Sequence, residues 1–486
     1  MNSGNPLRDI DDTIQAMMAE WKVPGIAVAV IKDGEIILNR GYGLRDIEKK
    51  LPMTENTLLA VGSCTKAFTA TAIAMLVDEG VLGWDKPVRH YLPTFGMDDP
   101  VANEHLTVRD LLCHRCGLPG HDFLWYNTAH FLSRKALVER IRYLQPSKGF
   151  RAEFQYQNII YAAAGYLVGQ VTGGTWEAFV QKRIFDPLGM KTSNFSVEGL
   201  PQVDDASLGY ELKEGEIALM PYANIDNLGP AGSINASVNE MARWVLLQLD
   251  KGKYSDMQLV SEANLEEVHT PHTVINDPIR KRIYGLNLAA YALGWVVQPY
   301  RGQTLLWHSG GIDGFIANVS FMPEIDAGVV VLSNLNINRI VPAIAYTIYD
   351  RLRGLADDDW SARFKQIGDE LDAEEREIEA KFDEARIDGT QLSHPLEDYC
   401  GVFENPGYGV LTVAQTGESL SQTYNDRTNA MKHYHYDTFE TICEIEMRRH
   451  RKPMTYATDA SGKVVSVAIP FEPLLPPIVF TRTGEG

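Results

Sequence analysis

The chain has 486 residues, enough for two or three domains, and its 45% hydrophobic and 22% charged residues are ordinary for a globular protein. The formal net charge of −19 argues against nucleic acid or an anionic membrane as partner, because both bind clustered lysine and arginine. Residues 1–10 lack the basic and apolar regions of a signal peptide, and we expect no transmembrane segment.

The first part of the sequence predicts a helix, a hairpin and a buried helix. Apolar residues at helical spacing predict an amphipathic helix over 8–20. Valine and isoleucine runs on both sides of Asp33-Gly34 predict a β-hairpin. The run 67–77 has good helix formers, no glycine or proline, and apolar residues on nearly all sides. We therefore predict a buried central helix that begins near Ser63.

Ser63 and Lys66 lie one turn apart at the start of this helix, so their side chains share a face. A serine hydroxyl becomes a good nucleophile when a base removes its proton, and a lysine amine is a base only when neutral. Burial and a position in the first helical turn both favour the neutral amine. The backbone N–H of residue 63 would also face a developing oxyanion. The alternative is a serine cap beside a surface lysine.

The middle of the chain predicts helices and one turn-rich loop. The helices are expected at 106–112, with Thr107 as cap, and at 159–170, 174–190 and 237–249, and the loop at 227–236. Tyr156 and Asn158 precede the second helix. Asparagine is typical of a helix cap and tyrosine of a buried aromatic residue with a bonded hydroxyl, so each has a structural interpretation beside a catalytic one.

Cysteine and histidine pairs raise the question of metal binding. Cys113 and Cys116 form a CxxC pair without a second pair downstream, and structural zinc needs four ligands. His433 and His435 alternate along a predicted strand, where packing or a solvent face competes with a metal pair. Five cysteines, an odd number, are spread over the chain, which suits a reducing compartment and favours the cytoplasm.

The last third predicts strands, a linker and more strands. Strands are expected at 294–297, 304–308, 315–321 and 328–332, followed by a helix at 341–352. Strands at both ends with helices between predict an α/β (α+β) fold, an antiparallel sheet flanked by helices with a helical insert. Many charges predict a solvated helical linker over 356–388, and short regular strands predict a small all-β barrel or sandwich over 389–486. The first domain would then span residues 1–355.

Three short motifs follow one another in the first domain. They are Gly62-Ser63-Cys64-Thr65-Lys66, Tyr156-Gln157-Asn158 and His308-Ser309-Gly310-Gly311. As a set they resemble the motifs of the penicillin-recognising serine hydrolases, which include class C β-lactamases, D,D-peptidases, D-aminopeptidases and related esterases. Segments beginning at Leu106 and Leu228 are similar to two further segments of that family. The resemblance covers residues 8–353 and implies a β-lactamase/transpeptidase-like fold.

The resemblance also implies a role for each motif residue. Ser63 would be the acylated nucleophile, with proton transfer shared by Lys66 and Tyr156. The residues implied to bind substrate are Asn158, His308, Ser309 and Gly310. The N–H groups of Ser63 and Gly311 would form the oxyanion hole. No cofactor and no metal are implied, because a serine acyl-enzyme mechanism needs none.

His308 departs from the lysine that β-lactamases and D,D-peptidases of this family usually carry. Lysine holds a substrate carboxylate with a fixed positive charge, whereas histidine is mostly neutral near pH 7. Binding of penicillin-type carboxylates is therefore not expected. The resemblance associates this variant with peptidases and esterases of the group, so it implies small peptides or amides as substrates, including those with D-residues, with ester or β-lactam hydrolysis as the alternatives. The C-terminal part is similar to a lipocalin-like domain, so a non-catalytic scaffold that binds a partner through the barrel is a rival. Homo-oligomerisation stays open.

Overall fold

The computed structural model describes residues 6–276, 288–356, 358–445 and 448–484. The first five residues, part of the stretch tested for a signal peptide, lie outside this range. Two bodies make up the described chain: a nine-stranded antiparallel sheet flanked by helices, and a closed eight-stranded barrel. The predicted fold class is thereby confirmed.

Before the barrel, the long strands lie at the two ends of the segment and most of the helices lie between them. The strands are β1 (Gly25–Lys32), β2 (Glu35–Asp46), β3 (Leu51–Pro52), β4 (Leu59–Ala60), β5 (Gly209–Lys213), β6 (Glu216–Met220), β7 (Asn235–Ala236), β8 (Lys253–Tyr254), β9 (Met257–Gln258), β10 (Thr273–Val274), β11 (Ala290–Tyr291), β12 (Val296–Tyr300), β13 (Gln303–Ile312), β14 (Phe315–Met322) and β15 (Ala327–Ser333). The helices are α1 (Ile10–Trp21), α2 (Thr65–Asp78), α3 (Val88–Tyr91), α4 (Pro100–His105), α5 (Arg134–Arg140), α6 (Ile159–Thr172), α7 (Trp176–Val180), α8 (Asp186–Leu188), α9 (Gly229–Gly232), α10 (Val238–Leu249), α11 (Glu262–His269), α12 (Ile340–Leu352) and α13 (Trp360–Glu384).

The large sheet has the strand order β10-β11-β12-β13-β14-β15-β1-β2-β3. Strand β1, which lies between β15 and β2, is buried on both faces, because alternate residues enter two different cores. Ala27 and Ala29 pack on the side of α2 and α10, whereas Val28 and Val30 pack on the side of α1 and α12. Nearly all of the other helices lie between β3 and β10, as the predicted helical insert.

Three predicted elements of the insert differ in detail from the structure. The helix expected at 106–112 is a 3-10 turn over Arg109–Leu111, because Asp110 accepts the Thr107 N–H and closes the chain into a turn. The helix expected at 174–190 contains a π-helical turn, Gln181–Phe185, ahead of Pro187, which has no N–H for an α-helical bond. The loop expected at 227–236 contains the one-turn helix α9.

Helix α13 is less solvated than its charge predicts. Trp360 and Phe364 are buried, and Trp360 stacks on Tyr346 of α12 with ring centroids 4.8 Å apart. At the other end Phe382 stacks on Tyr434 of the barrel at 4.7 Å. The segment is helical as expected, and its widely spaced aromatic residues face neighbours at both ends while most of the charges between them face solvent. Among the described residues, no helix is long and apolar enough to span a bilayer.

The barrel is an antiparallel meander that closes on itself. Its strands are β16 (Gly401–Asn405), β17 (Gly409–Thr416), β18 (Ser419–Tyr424), β19 (Arg427–His435), β20 (Thr438–Ile445), β21 (Arg448–Thr458), β22 (Val464–Ile469) and β23 (Ile478–Arg482). β16 pairs with both β17 and β23, which closes the sheet. Large side chains on alternate positions fill the interior, including Phe403, Leu411, Met431, Phe439, Met454 and Phe480. This barrel is packed as a core.

Candidate active site

Ser63 lies at the surface of the helical insert, directly above Lys66. It belongs to a 3-10 turn, Gly62–Cys64, that leads into α2, so the helix itself begins two residues later than the serine. Lys66 is in the first turn of α2 and fully buried, and its Nζ is 2.9 Å from Ser63 Oγ. The structure thus brings together the two residues that the sequence paired.

Lys66 Nζ has two further oxygen neighbours. Asn158 Oδ1 lies at 2.8 Å and the Ala231 carbonyl oxygen at 2.9 Å. Both of these oxygens can only accept hydrogen bonds, so a neutral amine donates its two protons to them. The lone pair of that neutral amine would then be available to accept the Ser63 hydroxyl proton. This geometry suits a general base for serine.

Asn158 and Tyr156 both adjoin the lysine. Asn158 makes no side-chain cap on α6, whose Ile160 N–H is taken by Gln157 Oε1 at 2.7 Å instead. The structural interpretation of Asn158 as a cap therefore fails. The Tyr156 ring centroid lies 4.8 Å from Lys66 Nζ, which places the phenol beside the amine.

Glycines let the third motif approach the serine turn. A Cβ on Gly310 of β13 would overlap the Val61 carbonyl oxygen and lie 3.0 Å from Ser63 N. A Cβ on Gly62 would lie 2.7 Å from Gly311 N, and Gly62 has a φ of +52°. Only glycine fits this backbone contact. The backbone of Gly310 and Gly311 therefore lies against the backbone of Gly62 and Ser63. The N–H groups of Ser63 and Gly311 would have to point into the pocket together to form the predicted oxyanion hole.

His308 is turned into the protein. Its Nδ1 lies 2.6 Å from the Ser309 carbonyl oxygen, so this nitrogen carries the proton and donates. Its Nε2 then accepts from the Tyr291 hydroxyl at 2.9 Å. The imidazole ring also lies beside Tyr156, with ring centroids 6.2 Å apart. Ser309, its neighbour, is exposed.

A pocket of about 40 Å³ opens above Ser63. Four residues of the three sequence motifs line it: Gly62, Ser63, Asn158 and Gly311. The remaining lining residues are Trp125, Tyr126, Ile225, Leu228, Ala231, Gly232, Ile312 and Asp313. The volume is that of a few water molecules.

Asp122 is the site residue that the sequence analysis missed. It lies in a 3-10 turn, Asp122–Leu124, and its Oδ1 accepts from Trp125 Nε1 at 2.8 Å and from Asn158 Nδ2 at 3.2 Å. Burial raises the pKa of this carboxyl, although both hydrogen bonds and the charge of Lys66 oppose the shift. The sequence offered one indication of its role: Asp122 follows closely after residues 106–118, the segment that is similar to one in the serine hydrolase family.

The barrel packs on this same turn. The Phe123 carbonyl oxygen accepts from Tyr424 Oη at 3.0 Å and from Asn425 Nδ2 at 2.8 Å. The Phe123 ring stacks on Phe471 with centroids 4.6 Å apart. The barrel therefore holds one wall of the candidate site.

The cysteine and histidine pairs lie elsewhere. Cys113 and Cys116 are free thiols in the core, where burial raises the pKa of the first to about 12 and of the second to about 11. His433 Nε2 contacts the Tyr436 carbonyl oxygen at 2.8 Å, and the strand register shifts between His433 and His435. Over the described ranges, no three histidine, cysteine or acidic side chains form a group that could hold a metal.

Family models match two parts of this chain. A model described as "Beta-lactamase" matches residues 10–350, and a second, described as a "Domain of unknown function (DUF3471)", matches residues 385–482. The first covers the sheet and its helical insert, and the second covers the barrel.

Curated relatives align over much of the sequence. The "Unguisins hydrolase ungD" of Aspergillus violaceofuscus is 29% identical over 514 aligned positions, covering 98% of this chain and 90% of the relative. "Protein flp" of Staphylococcus aureus is 28% identical over 337 positions, covering 68% of this chain and 63% of the relative.

Two solved structures share the fold. An octameric penicillin-binding protein homologue from Pyrococcus abyssi has a TM-score of 0.62 at 23% identity and covers 98% of this chain and 100% of its own. A D-amino acid amidase from Ochrobactrum anthropi has a TM-score of 0.59 at 22% identity, covering 71% of this chain and 99% of its own. The first likeness extends over the sheet and the barrel together.

Proposed function

The chain belongs to the beta-lactamase family and is a serine hydrolase, and from that premise we propose that Ser63 is its acylated nucleophile. The observation that carries the proposal is the contact of Lys66 Nζ with Ser63 Oγ at 2.9 Å, beside two acceptor oxygens that also contact Nζ. A buried amine held in this way takes the hydroxyl proton as the oxygen attacks.

The acylation step then follows from the geometry. Ser63 Oγ attacks the substrate carbonyl carbon, and its proton passes to Lys66. The oxyanion is held by the N–H groups of Ser63 and Gly311. As the carbon–nitrogen bond breaks, the leaving amine takes the proton from Lys66, with Tyr156 alongside as the second proton carrier. Water completes the cycle by attacking the ester, with the same two residues as base.

We propose amide bonds of small peptides, including those with D-residues, as the substrates. The small pocket favours a short acyl group. His308 supplies no fixed positive charge for the carboxylate of a penicillin-type substrate, which disfavours β-lactams. The name of the Ochrobactrum structure, a D-amino acid amidase, and that of the Aspergillus unguisins hydrolase agree with this class. Asn158 would bind the substrate amide, and Ser309 and Gly310 would line its path.

The test compares four substrates: p-nitrophenyl acetate, p-nitrophenyl butyrate, nitrocefin and D-alanine p-nitroanilide, each with Ser63→Ala as control. We expect turnover of the anilide, little cleavage of nitrocefin, and none of either by Ser63→Ala. Ester cleavage alone would identify a carboxylesterase, and rapid nitrocefin hydrolysis a β-lactamase. Wild-type turnover by Ser63→Ala would contradict the assignment of the nucleophile.

The organisation of the chain is also a proposal. We place the hydrolase domain at 1–355, the linker at 356–388 and the barrel at 389–486. The Pyrococcus homologue is named as an octamer, and we propose that this chain also forms homo-oligomers, which light scattering of the purified protein would test. Five free cysteines agree with a reducing, cytoplasmic location.

A further inference from the structure

His114 is a buried residue whose backbone takes an unusual conformation beside the candidate site. The residue is 3% exposed, and its φ of +56° lies in the left-handed region that residues other than glycine seldom adopt. Gln155 donates its backbone N–H to the His114 carbonyl oxygen at 2.9 Å, which ties this residue to the segment before the second motif. Backbone strain of this kind is found most often at functional sites, so the contacts of the side chain are of interest.

The imidazole of His114 binds the backbone of the second motif. Gln157 donates its backbone N–H to His114 Nδ1, and the two nitrogens are 3.2 Å apart. Because Nδ1 is the acceptor, the ring is neutral and carries its proton on Nε2. Gln157 stands between Tyr156 and Asn158, just ahead of α6, so its N–H has no partner in that helix. His114 therefore supplies the acceptor that fixes the chain between the two motif residues beside Lys66.

The same imidazole packs on Tyr156. The ring centroids of His114 and Tyr156 are 4.3 Å apart, with 37° between the ring planes. Lys66 Nζ lies 4.8 Å from the Tyr156 centroid. The phenol ring thus has both the imidazole and the amine as close neighbours. Loss of the imidazole would leave a gap beside Tyr156 and free its ring to move away from Lys66.

A third contact extends to the support of His308. The His114 and Tyr291 rings meet edge to face, with centroids 4.4 Å apart. Tyr291 is 1% exposed, and its hydroxyl lies 2.9 Å from His308 Nε2. His114 therefore contacts the second motif directly and the third motif through Tyr291.

We propose that His114 is a positioning residue for acylation, which holds the second motif against Lys66 by accepting the Gln157 N–H. Its ring keeps the Tyr156 phenol beside the same amine. This inference rests on the proposed function, in which Lys66 is the base. Asn158 Oδ1 lies 2.8 Å from Lys66 Nζ, so a displaced second motif would take away an acceptor that orients the amine. The loss of His114 should therefore slow the chemical step.

The experiment measures labelling of Ser63 by a fluorophosphonate probe at several concentrations, which separates the maximal rate constant from the probe concentration that gives half of it. His114→Asn and His114→Leu are similar in size, but only asparagine carries an acceptor, Oδ1, as far along the side chain as Nδ1. We expect His114→Leu to lower the maximal rate constant about thirtyfold and to change the half-rate concentration less than about twofold. His114→Asn should come within about threefold of the wild type, since only the ring contact is lost. Equal rate constants for the two variants would overturn the proposal.

A merely structural role would give a different result. The amount of probe bound at completion counts the folded sites, so a variant that is only partly folded has a lower end point and a normal rate constant. That result for His114→Leu would overturn the proposal. His114→Gly takes the place of leucine if His114→Leu does not fold, because glycine is unstrained at this φ and has no acceptor, and the same thirtyfold loss is expected.

His269→Leu is the matched control for removal of a histidine from the insert. The His269 ring contacts Gln248, Trp295 and Phe321, and labelling of the variant should follow the wild type. A rate constant as low as that of His114→Leu would show that the effect is not specific to His114, which also overturns the proposal.

Ser63→Ala separates this inference from the proposed function. If Ser63→Ala is labelled like the wild type, the proposed nucleophile is wrong and the role of His114 fails with it. If Ser63→Ala is not labelled while His114→Leu and His114→Gly have the wild-type rate constant, only the role of His114 is wrong.

Discussion

The hydrolase part and the barrel differ in the polarity of their buried side chains. Around Ser63 the interior is polar, and Lys66 and Asn158 are buried with defined hydrogen-bond partners. The side chains that fill the barrel interior are instead mostly aromatic or aliphatic, for example Phe403 and Met454. The barrel contacts the turn at 122–124 through Asn425 and Phe471, which lie on loops between its strands.

The strongest way to sharpen this comparison is to remove the buried amine. Lys66→Ala should slow labelling of Ser63 by a fluorophosphonate at least about a thousandfold, because the base in contact with the hydroxyl is then lost. Lys191→Ala, at an exposed lysine of the same insert, is the control and should label normally. Unimpaired labelling of Lys66→Ala would remove the lysine from the mechanism.

The second prediction concerns the backbone contact beside the nucleophile. Gly310→Ala should lower turnover at least about a hundredfold and destabilise the protein by about 3 kcal/mol, because the new methyl group overlaps the Val61 carbonyl and pushes β13 from the Ser63 turn. Gly174→Ala, where a Cβ meets no atom within 4 Å, is the control. Turnover and thermal unfolding are measured together. Normal turnover by Gly310→Ala would show that activity does not depend on the contact between β13 and the Ser63 turn.

The third prediction compares two buried rings of the barrel, Phe471 and Phe480, whose centroids lie 6.1 Å apart. Phe471→Ala and Phe480→Ala each remove a buried ring and should each cost about 3 kcal/mol of unfolding free energy. Phe471 stacks on Phe123, whereas Phe480 belongs to the barrel interior. Removal of Phe471 alone should therefore slow Ser63 labelling, by about tenfold, at a temperature where both variants are folded. Equal labelling by the two variants would mean that the barrel does not support the pocket wall.

The smallest expected effect is on the unfolding free energy, from a change at Asp110, which lies in the hydrolase part away from Ser63. Burial would raise the pKa of Asp110, but hydrogen bonds from Arg151 and Thr107 and the charge of Arg115 lower it below the ordinary value. A lowered folded pKa stabilises the protein above the unfolded value near 4, and the gain is lost as the pH falls through the folded pKa. Asp110→Asn should therefore cost about 2 kcal/mol at pH 7.

The matching measurement for Asp110 is chemical unfolding at pH 7 and at pH 3. The difference between wild type and Asp110→Asn should shrink at the lower pH, since the wild-type carboxyl then gains its proton. Asp186→Asn, at an exposed aspartate, serves as the control. A difference that stays constant with pH would mean that the charge of Asp110 is not what stabilises the turn.

Local signals in the sequence predicted the parts of the site that lie within motifs. The spacing of Ser63 and Lys66 fixed their relation, since residues three apart on a helix are neighbours whatever surrounds them. Asp122 was missed because it belongs to none of the three motifs and meets Asn158 only in the folded structure. The buried start of α13 was within reach: Trp360, Phe364 and Ile367 recur at helical spacing, but the many charges dominated the interpretation.

Helix α13 has a geometric consequence for how the chain tolerates change. It has 25 residues, and it is packed at its start by Trp360 and at its end by Phe382. One residue inserted between these anchors would turn the barrel by about 100° and advance it by about 1.5 Å. Phe471 would then lose its stack on Phe123, although no residue near Ser63 had changed. The number of residues in this helix therefore sets how the barrel is rotated about the helix axis, and so whether it contacts the hydrolase part at the turn at 122–124.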